Sequence, residues 1–594
     1  MRRWGWRGLA ALLLLLAGAA TYPGADIAAF AARAGRSGQP AGPAPPGPLP
    51  WLHVEHPPSG RPFIADPEGR QVILRGSVVA GLVDWWSGSN LADLAPAPLF
   101  PIDPAAYENG CPANSDLIRV PPVCRNDFDE MRRLGFDVVR LGLSWSLLEP
   151  QPGRYDQRYI DRVAQVVGWA RDNGIYVILD MHQDAYSRYL PRPDPPPLPY
   201  GLPPALHDHD GAPAWAVYTD GLPSERFIGQ REINPAVGDM TTSFWLNRGG
   251  LQDHYIGAVA ALARRFREDS TVAGYNLLNE PWPGFFDSPY FDDLFLMPFY
   301  RRAIDAITGV RDGLPCPAAA PALAACGYPD LGIHDRRHLV FLEANHLRGQ
   351  TDFDLHLPLA LSSYPNIVYA IHTYTHKFTF DAIFNLNPNA YPPGGYELSY
   401  NSAEAAARSL DAALFVTEYG NEPSLDTKLL VHQLAEQEQH LVGSTYWPWK
   451  ENCDSGITWG LYEGVFGAQP DQRCADQRGA SAAASAPQNG CLRASKERLL
   501  ARVWPRAVAG TLRSYRYDPD TGVFAMDASA ANGSPDSVLY LPPEVTGAVE
   551  SGGAAQVRSV QDLAGGGRLA MVQPLGGAYS VHVTPAPLRL AACG

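Results

Sequence analysis

The residues of this chain that could do chemistry stand at the ends of short apolar runs. Glu280 closes VAGYNLLNE (272–280), directly after Asn279, and Glu418 sits near the end of LFVTEYG (414–420). Two carboxyl groups brought together can cleave an acetal. One, kept protonated, gives its proton to the leaving oxygen; the other, kept ionised, attacks the anomeric carbon. Direct attack needs the two groups about 5–5.5 Å apart. Side chains able to tune such a pair end other runs. Arg140 lies in DVVRLGLSW (137–145), and Asp180, His182 and Asp184 end IYVILDMHQ (175–183) and its continuation. His372 and Tyr374 end NIVYAIHTY (366–374), and Trp447 and Trp449 end GSTYWPW (443–449). An arginine would hold one carboxylate charged, while burial and a like charge would keep the other protonated. Taken singly, each residue has a plain structural reading: a loop Glu before Pro, a core histidine, packed tryptophans. Their joint occurrence at successive run ends favours a site.

The elements that must position them can be read from the same runs. VILRGSVV (72–79) and HLVFLEAN (338–345) bring the number of strand candidates to eight. Several are continuously apolar, as strands covered on both faces are. Between them lie helical patterns such as RYIDRVAQVVGWARDNG (158–174), which stops at Asn173-Gly174, and LQDHYIGAVAALARRF (251–266). Alternation of this kind over 51–506 predicts a (β/α)₈ TIM barrel, in which the C-terminal ends of the strands converge on one site. The fourth and seventh strands, carrying Glu280 and Glu418, stand across from one another. An open doubly wound sheet is the alternative fold, but RGSVVAG lacks the GxGxxG phosphate turn it would want. From 507 to 594 short alternating segments flank the turn Asp518-Pro519-Asp520-Thr521-Gly522 and predict a small C-terminal β-sandwich. It would buttress the barrel or bind sugar or lipid.

LLNEP (277–281) and VTEYG (416–420), with Arg140, His182, Asn279, His372 and Tyr374 around them, resemble clan A glycoside hydrolases of family 5. The resemblance covers residues 70–505. It implies that Glu280 is the acid/base and Glu418 the nucleophile, and that Asn279 bonds the sugar 2-hydroxyl. Arg140 and Tyr374 would orient Glu418, His372 would support Glu280, and a last-strand tryptophan, Trp447 before Trp449, would floor the sugar. LDMHQDAYSRY (179–189) and GYNLLNEPWPG (274–284) are similar to the endoglycoceramidases and endogalactosylceramidases, which cut the bond between a glycan and ceramide. By that likeness Asp184 bonds the sugar nearest the ceramide. The stretch YWPWKENC and the loops 188–240 and 450–493 depart from the pattern and would govern glycan preference. The run PWPGFFDSPYFDDLFLMPFY (281–300) could line an apolar exit for the aglycone or pack as a helix on the barrel; Trp85-Trp86 is a second candidate platform.

Composition sets the remaining limits. A net charge of −15 argues against a nucleic-acid partner. Arg2, Arg3 and Arg7 precede a short apolar run, Leu9 to Ala20, which predicts a signal peptide over 1–20, with a retained anchor as the alternative. An Ala/Gly/Pro-rich linker follows over 21–50. The expected product is secreted, extracellular or periplasmic or held at a surface, and monomeric, with a β-glycoside such as a glycosphingolipid as substrate and room for transient contact with a membrane surface. Cysteine spacing in an exported chain predicts the disulfides 111–124 and 316–326 and a pair among 453, 474 and 491. His207-Asp208-His209-Asp210 reads as a solvated loop. No metal and no cofactor are expected. Competing functions are a polysaccharide endoglycanase or simpler β-glycosidase, and a non-catalytic carbohydrate- or glycolipid-binding protein. The latter would ordinarily have lost one of the two carboxylates.

Overall fold

A computed structural model describes residues 49–84, 101–112, 122–190, 210–222, 234–286, 290–310, 327–354, 356–358, 362–383, 394–452, 459–464, 491–563 and 566–584. The expected signal peptide, Trp85-Trp86, and the cysteines at 316, 326, 453, 474 and 593 lie outside these residues. Three short strands open the chain: β1 (His53–Glu55), β2 (Phe63–Ala65) and β3 (Gln71–Val72). Eight parallel strands follow: β4 (Arg75–Leu82), β5 (Val138–Ser144), β6 (Tyr176–His182), β7 (Val272–Asn276), β8 (Leu339–Glu343), β9 (Ile367–His372), β10 (Ala413–Tyr419) and β11 (Gly443–Tyr446). They close into a barrel when β11 pairs with β4. Each overlaps one of the eight apolar runs of the sequence, and every strand residue is buried.

The helix Gln157–Asp172 illustrates how the outer layer forms. Asp156 caps it by accepting from the Arg158 backbone N–H at 2.8 Å, and Tyr159, Ile160, Val163, Val166, Val167 and Ala170 form one buried stripe. Gly174, at φ 69°, ends the turn that follows. The helix Leu251–Phe266 occupies the range its periodicity predicts. Cys111 and Cys124 form the expected disulfide ahead of the helix Arg125–Arg133.

Along each strand, alternate side chains face the barrel interior. The lower inward layer is apolar: Val138, Ile178, Leu339, Phe341, Val368, Ala370, Ala413 and Phe415 pack together with Leu52, Val54 on β1 and Ile64 on β2. The N-terminal segment is thus a plug in the bottom of the barrel. The Val54 backbone N–H donates to Asn366 Oδ1 at 3.0 Å, and Tyr176 Oη donates to the Pro50 carbonyl at 2.8 Å.

After β12 (Lys450–Asn452), β13 (Tyr462–Gly464) and β14 (Cys491–Leu492) come β15 (Trp504–Val508), β16 (Thr511–Tyr517), β17 (Phe524–Ala530), β18 (Ser537–Leu541), β19 (Val549–Asp562) and β20 (Arg568–Val583). β15–β20 are antiparallel. The long β20 pairs with β18 over its first half, with β17 over its second and with β19 throughout. The two halves enclose a core that includes Trp504, Met526, Leu539, Val572 and Val581. β3 pairs with β15, so residues at the start of the chain extend this C-terminal unit. At its junction with the barrel, Arg133 binds Glu497 at 3.0 Å and Glu544 at 2.7 Å. Tyr540 lies against Gly135, where a Cβ would overlap its ring. No helix among the described residues is long and apolar enough to cross a membrane.

Candidate active site

Two or three residues beyond the apolar layer, the inward positions turn polar. Arg140 on β5, Asp180 and His182 on β6, Glu343 on β8 and His372 on β9 continue the rows begun by Val138, Ile178, Phe341 and Ala370. On β10 the alternation is broken. The pairing with β9 shifts between Val416 and Glu418, so Thr417 and Glu418 both reach the interior side. Glu280 comes from the loop after β7, at φ 41°, and Gln183 Nε2 holds that loop by donating to the carbonyls of Asn279 at 2.9 Å and Glu280 at 3.0 Å.

Glu418 is fixed by a permanent cation. Arg140 Nη1 donates to its Oε1, and Tyr374 Oη donates to Oε2 at 2.8 Å. Arg140 Nη2 also reaches Asn279 Oδ1 at 2.7 Å, Asp180 Oδ1 at 3.0 Å and Glu343 Oε1 at 3.3 Å. Glu280 is held by imidazoles instead. His372 Nδ1 is 2.7 Å from Oε1 and His346 Nδ1 is 3.1 Å from Oε2. One oxygen of Glu280 and one of Glu418 lie within 4.8 Å of each other, with His372 in contact with both residues.

The electrostatics follow from these contacts. Burial would raise Glu280, but His346 and His372 outweigh it and hold the carboxyl well below the usual carboxylate range. Burial raises Glu418, with the negative Glu280 adding to it, against the lowering pull of His372 and Arg140. His372 is opposed by burial yet pushed up to about 10 by Glu343, Glu418 and Glu280. Asp180 stays below its ordinary value, because Arg140 and His182 overcome its burial. The spacing of Glu280, His372 and Glu418 would also suit an ion, but the Arg140 guanidinium already supplies the positive charge at that point. His182, Asp184 and Asp210 likewise bring one ligand atom each within 4.8 Å.

Beside Glu280 lies a hollow of about 250 Å³ lined by Asp184, Thr241, Trp282 and His346. Trp282, Tyr186 and Thr241 are shared with an adjoining space of about 430 Å³ whose further walls are Trp145, Phe244, Trp245 and Leu278. The aromatic run 281–300 divides. Phe291, Phe295 and Met297 are core, Phe291 edge-on to Trp245, whereas Phe285 and Tyr290 are 41% and 60% exposed.

Of the residues expected from sequence, Glu280, Glu418, Arg140, His182, Asp184, Asn279, His372, Tyr374 and Trp447 come together. Trp447 stacks parallel to His182, ring centroids 5.5 Å apart. Trp449 does not join them: it is buried against Phe136 and Tyr462 and donates through Nε1 to Asp127 Oδ1 at 3.1 Å, so it is a core residue. Asp210, expected in a solvated loop, is fully buried and pairs its backbone with that of Asp184. Glu343 and His346 were not expected. Glu343 accepts from Asn276 at 2.9 Å and Thr417 at 2.8 Å, and its place two residues after Phe341 was a legible signal.

A model of the cellulase domain (glycosyl hydrolase family 5) matches residues 124–307. Endoglycoceramidase I of Rhodococcus hoagii (strain 103S) is 26% identical over 412 residues, spanning 67% of this chain and 68% of that protein. The glucosylceramidase of Aspergillus fumigatus is 28% identical over 258 residues, or 36% of this chain and 31% of its own length. The fold is similar to a crystal structure of an endogalactoceramidase, with a TM-score of 0.64, 29% identity, and coverage of 91% of this chain and 100% of that one. The chain is therefore a glycoside hydrolase, similar to the family 5 cellulase domain over residues 124–307 and endoglycoceramidase-like in sequence and fold.

Proposed function

We propose that this enzyme is a retaining endo-β-glycosidase that hydrolyses the bond between a glycan and ceramide in glycosphingolipids. The observation that carries the mechanism is the separation of the two glutamates. Oxygens within 4.8 Å leave no space for a water between carboxylate and sugar, whereas inversion calls for about 6.5–9.5 Å. Glu418, its oxygens held by Arg140 and Tyr374, attacks the anomeric carbon as Glu280 protonates the departing oxygen. Asn279, anchored through Oδ1 to Arg140 and through Nδ2 to the Gln183 carbonyl, bonds the 2-hydroxyl, and Trp447 floors the sugar with His182 behind it. Asp184 bonds the sugar nearest the ceramide. Water then enters, Glu280 takes its proton, and the glycosyl ester on Glu418 is hydrolysed.

The proton comes from the Glu280–His372 pair, whose atoms are 2.7 Å apart. His372 keeps it because Glu343, Glu418 and Glu280 are negative. As Glu418 becomes an ester it loses its charge, the hold on that proton weakens, and the pair passes from acid to base at the step that needs the change.

The aglycone side supports a lipid. Glu280 opens onto the small hollow and then onto the space walled by Trp145, Phe244, Trp245 and Leu278, an apolar lining that supports a hydrophobic aglycone rather than a further run of sugars. The relatives named endoglycoceramidase and glucosylceramidase point the same way. The basic, then apolar N-terminus supports export, with action outside the cytoplasm or at a membrane surface. A panel of glycosphingolipids, β-glucans and mannans tests the substrate. Release of intact glycan and free ceramide is expected, and cleavage confined to polymers would refute the lipid reading.

A further inference from the structure

The two imidazoles on Glu280 differ in setting. His372 lies beneath the carboxylates, its side chain 5% exposed, in contact with Glu280, Glu343 and Glu418. His346 stands at the mouth, 14% exposed, on the side of the leaving-group hollow. Its backbone N–H donates to the Pro281 carbonyl at 3.0 Å, which ties the segment after β8 to the one after β7. Gln350, in the short helix Leu347–Thr351, brings Nε2 to 3.5 Å from His346 Nε2, which leaves the His346 Nδ1–H to donate to Glu280. Trp282 meets the imidazole edge-on at 5.5 Å. His346 binds Glu280, from the loop after β7, and shares the hollow with Asp184 from the loop after β6; His372 lies behind Glu280.

A glutamate's last torsion is broad and roughly two-fold, so a carboxyl group held at one oxygen is poorly fixed in plane. His372 holds Oε1, on the side of Glu418. Oε2, on the side of the hollow, is bound by His346. We infer that His346 is a positioning residue of the reaction: its Nδ1–H, bonded to Glu280 Oε2, fixes the plane of the carboxyl group, so that the proton shared between Glu280 and His372 is presented to the departing oxygen. The inference rests on the acid/base reading of Glu280.

Poor leaving groups need that proton and activated ones do not, which separates positioning from simple structural support. His346→Phe and His346→Gln would be assayed as kcat/KM on an alkyl β-glycoside and on the 2,4-dinitrophenyl glycoside of the same sugar. His346→Phe should lose about 30-fold on the alkyl substrate, a part of the ~10²–10⁴ that general acid help supplies, and less than about threefold on the dinitrophenyl one. His346→Gln, which keeps an N–H donor, should recover most of the alkyl activity. Equal losses on both substrates, or no loss on the alkyl glycoside, would overturn the inference. Glu280→Ala assayed in parallel keeps the two readings apart. If it lacks a leaving-group-dependent loss, the acid/base reading fails; if it has one and His346→Phe does not, only the role of His346 falls.

Discussion

At the N-terminal end of the barrel the inward side chains are Val138, Ile178, Leu339, Phe341, Val368 and Phe415. A few residues farther along the same strands they are Arg140, Asp180, Glu343, His372 and Glu418, all buried. One end shares its burial with the hairpin β1–β2 and contributes to stability. The other puts four carboxylates, an arginine and two histidines into contact out of water, an arrangement whose desolvation offsets much of its own attraction. The division shows where folding and catalysis draw on the same strands. Changes at the top should alter the reaction with little cost to the fold, and changes at the bottom should do the reverse.

Glu418→Gln gives the largest effect. On the proposed retaining mechanism it removes the attacking carboxylate, and kcat/KM should fall by about 10⁴-fold or more. Because burial raises the pKa of Glu418, its ionised form destabilises the fold, and this cost grows as pH rises through that pKa. The variant should therefore melt at or above the wild-type temperature at neutral pH, with the gap closing as pH falls; a large drop in Tm would break the comparison. Glu280→Ala should lose ~10²–10⁴-fold on alkyl glycosides and regain turnover with azide as a β-glycosyl azide forms.

At the other end, Phe341→Ala empties a site edge-on to Phe415 and should cost ~3–5 kcal/mol, read from the urea midpoint, with kcat per folded molecule retained. Gly135→Ala, where φ is +81° and the new methyl meets Tyr540, should cost about 2 kcal/mol by loosening the junction with the C-terminal unit. The smallest effect is on pH dependence. Activity should fall at low pH as Glu418, raised from its ordinary value by burial, takes a proton, and at high pH as the Glu280–His372 pair loses its proton near 10. His372→Asn should move the alkaline limb of kcat/KM downward, and an unmoved limb would detach His372 from the acid.

Much of this was legible from sequence because buried parallel strands leave continuous apolar runs, and a barrel converts their ends into one site. The strand rows also held Glu343, two residues beyond Phe341, although FLEAN carries no family signature. His346 was not legible: its role depends on the contact of two loops, through the Pro281 carbonyl, that no local pattern encodes. Nor could spacing separate Trp447 from Trp449, since what divides them is Asp127, more than 300 residues away in the chain. The strands β1–β3 were missed for the same reason. They are two or three residues long, and β3 finds its partner in β15 at the far end of the chain.

The central claim is that Glu418 forms a covalent bond to the sugar. A 2-deoxy-2-fluoro glycoside with a good leaving group should inactivate the enzyme, and mass spectrometry of the digested protein should find the fluorosugar on the peptide that carries Glu418. Labelling of a different residue, or turnover that releases the inverted anomer with no adduct, would contradict the account.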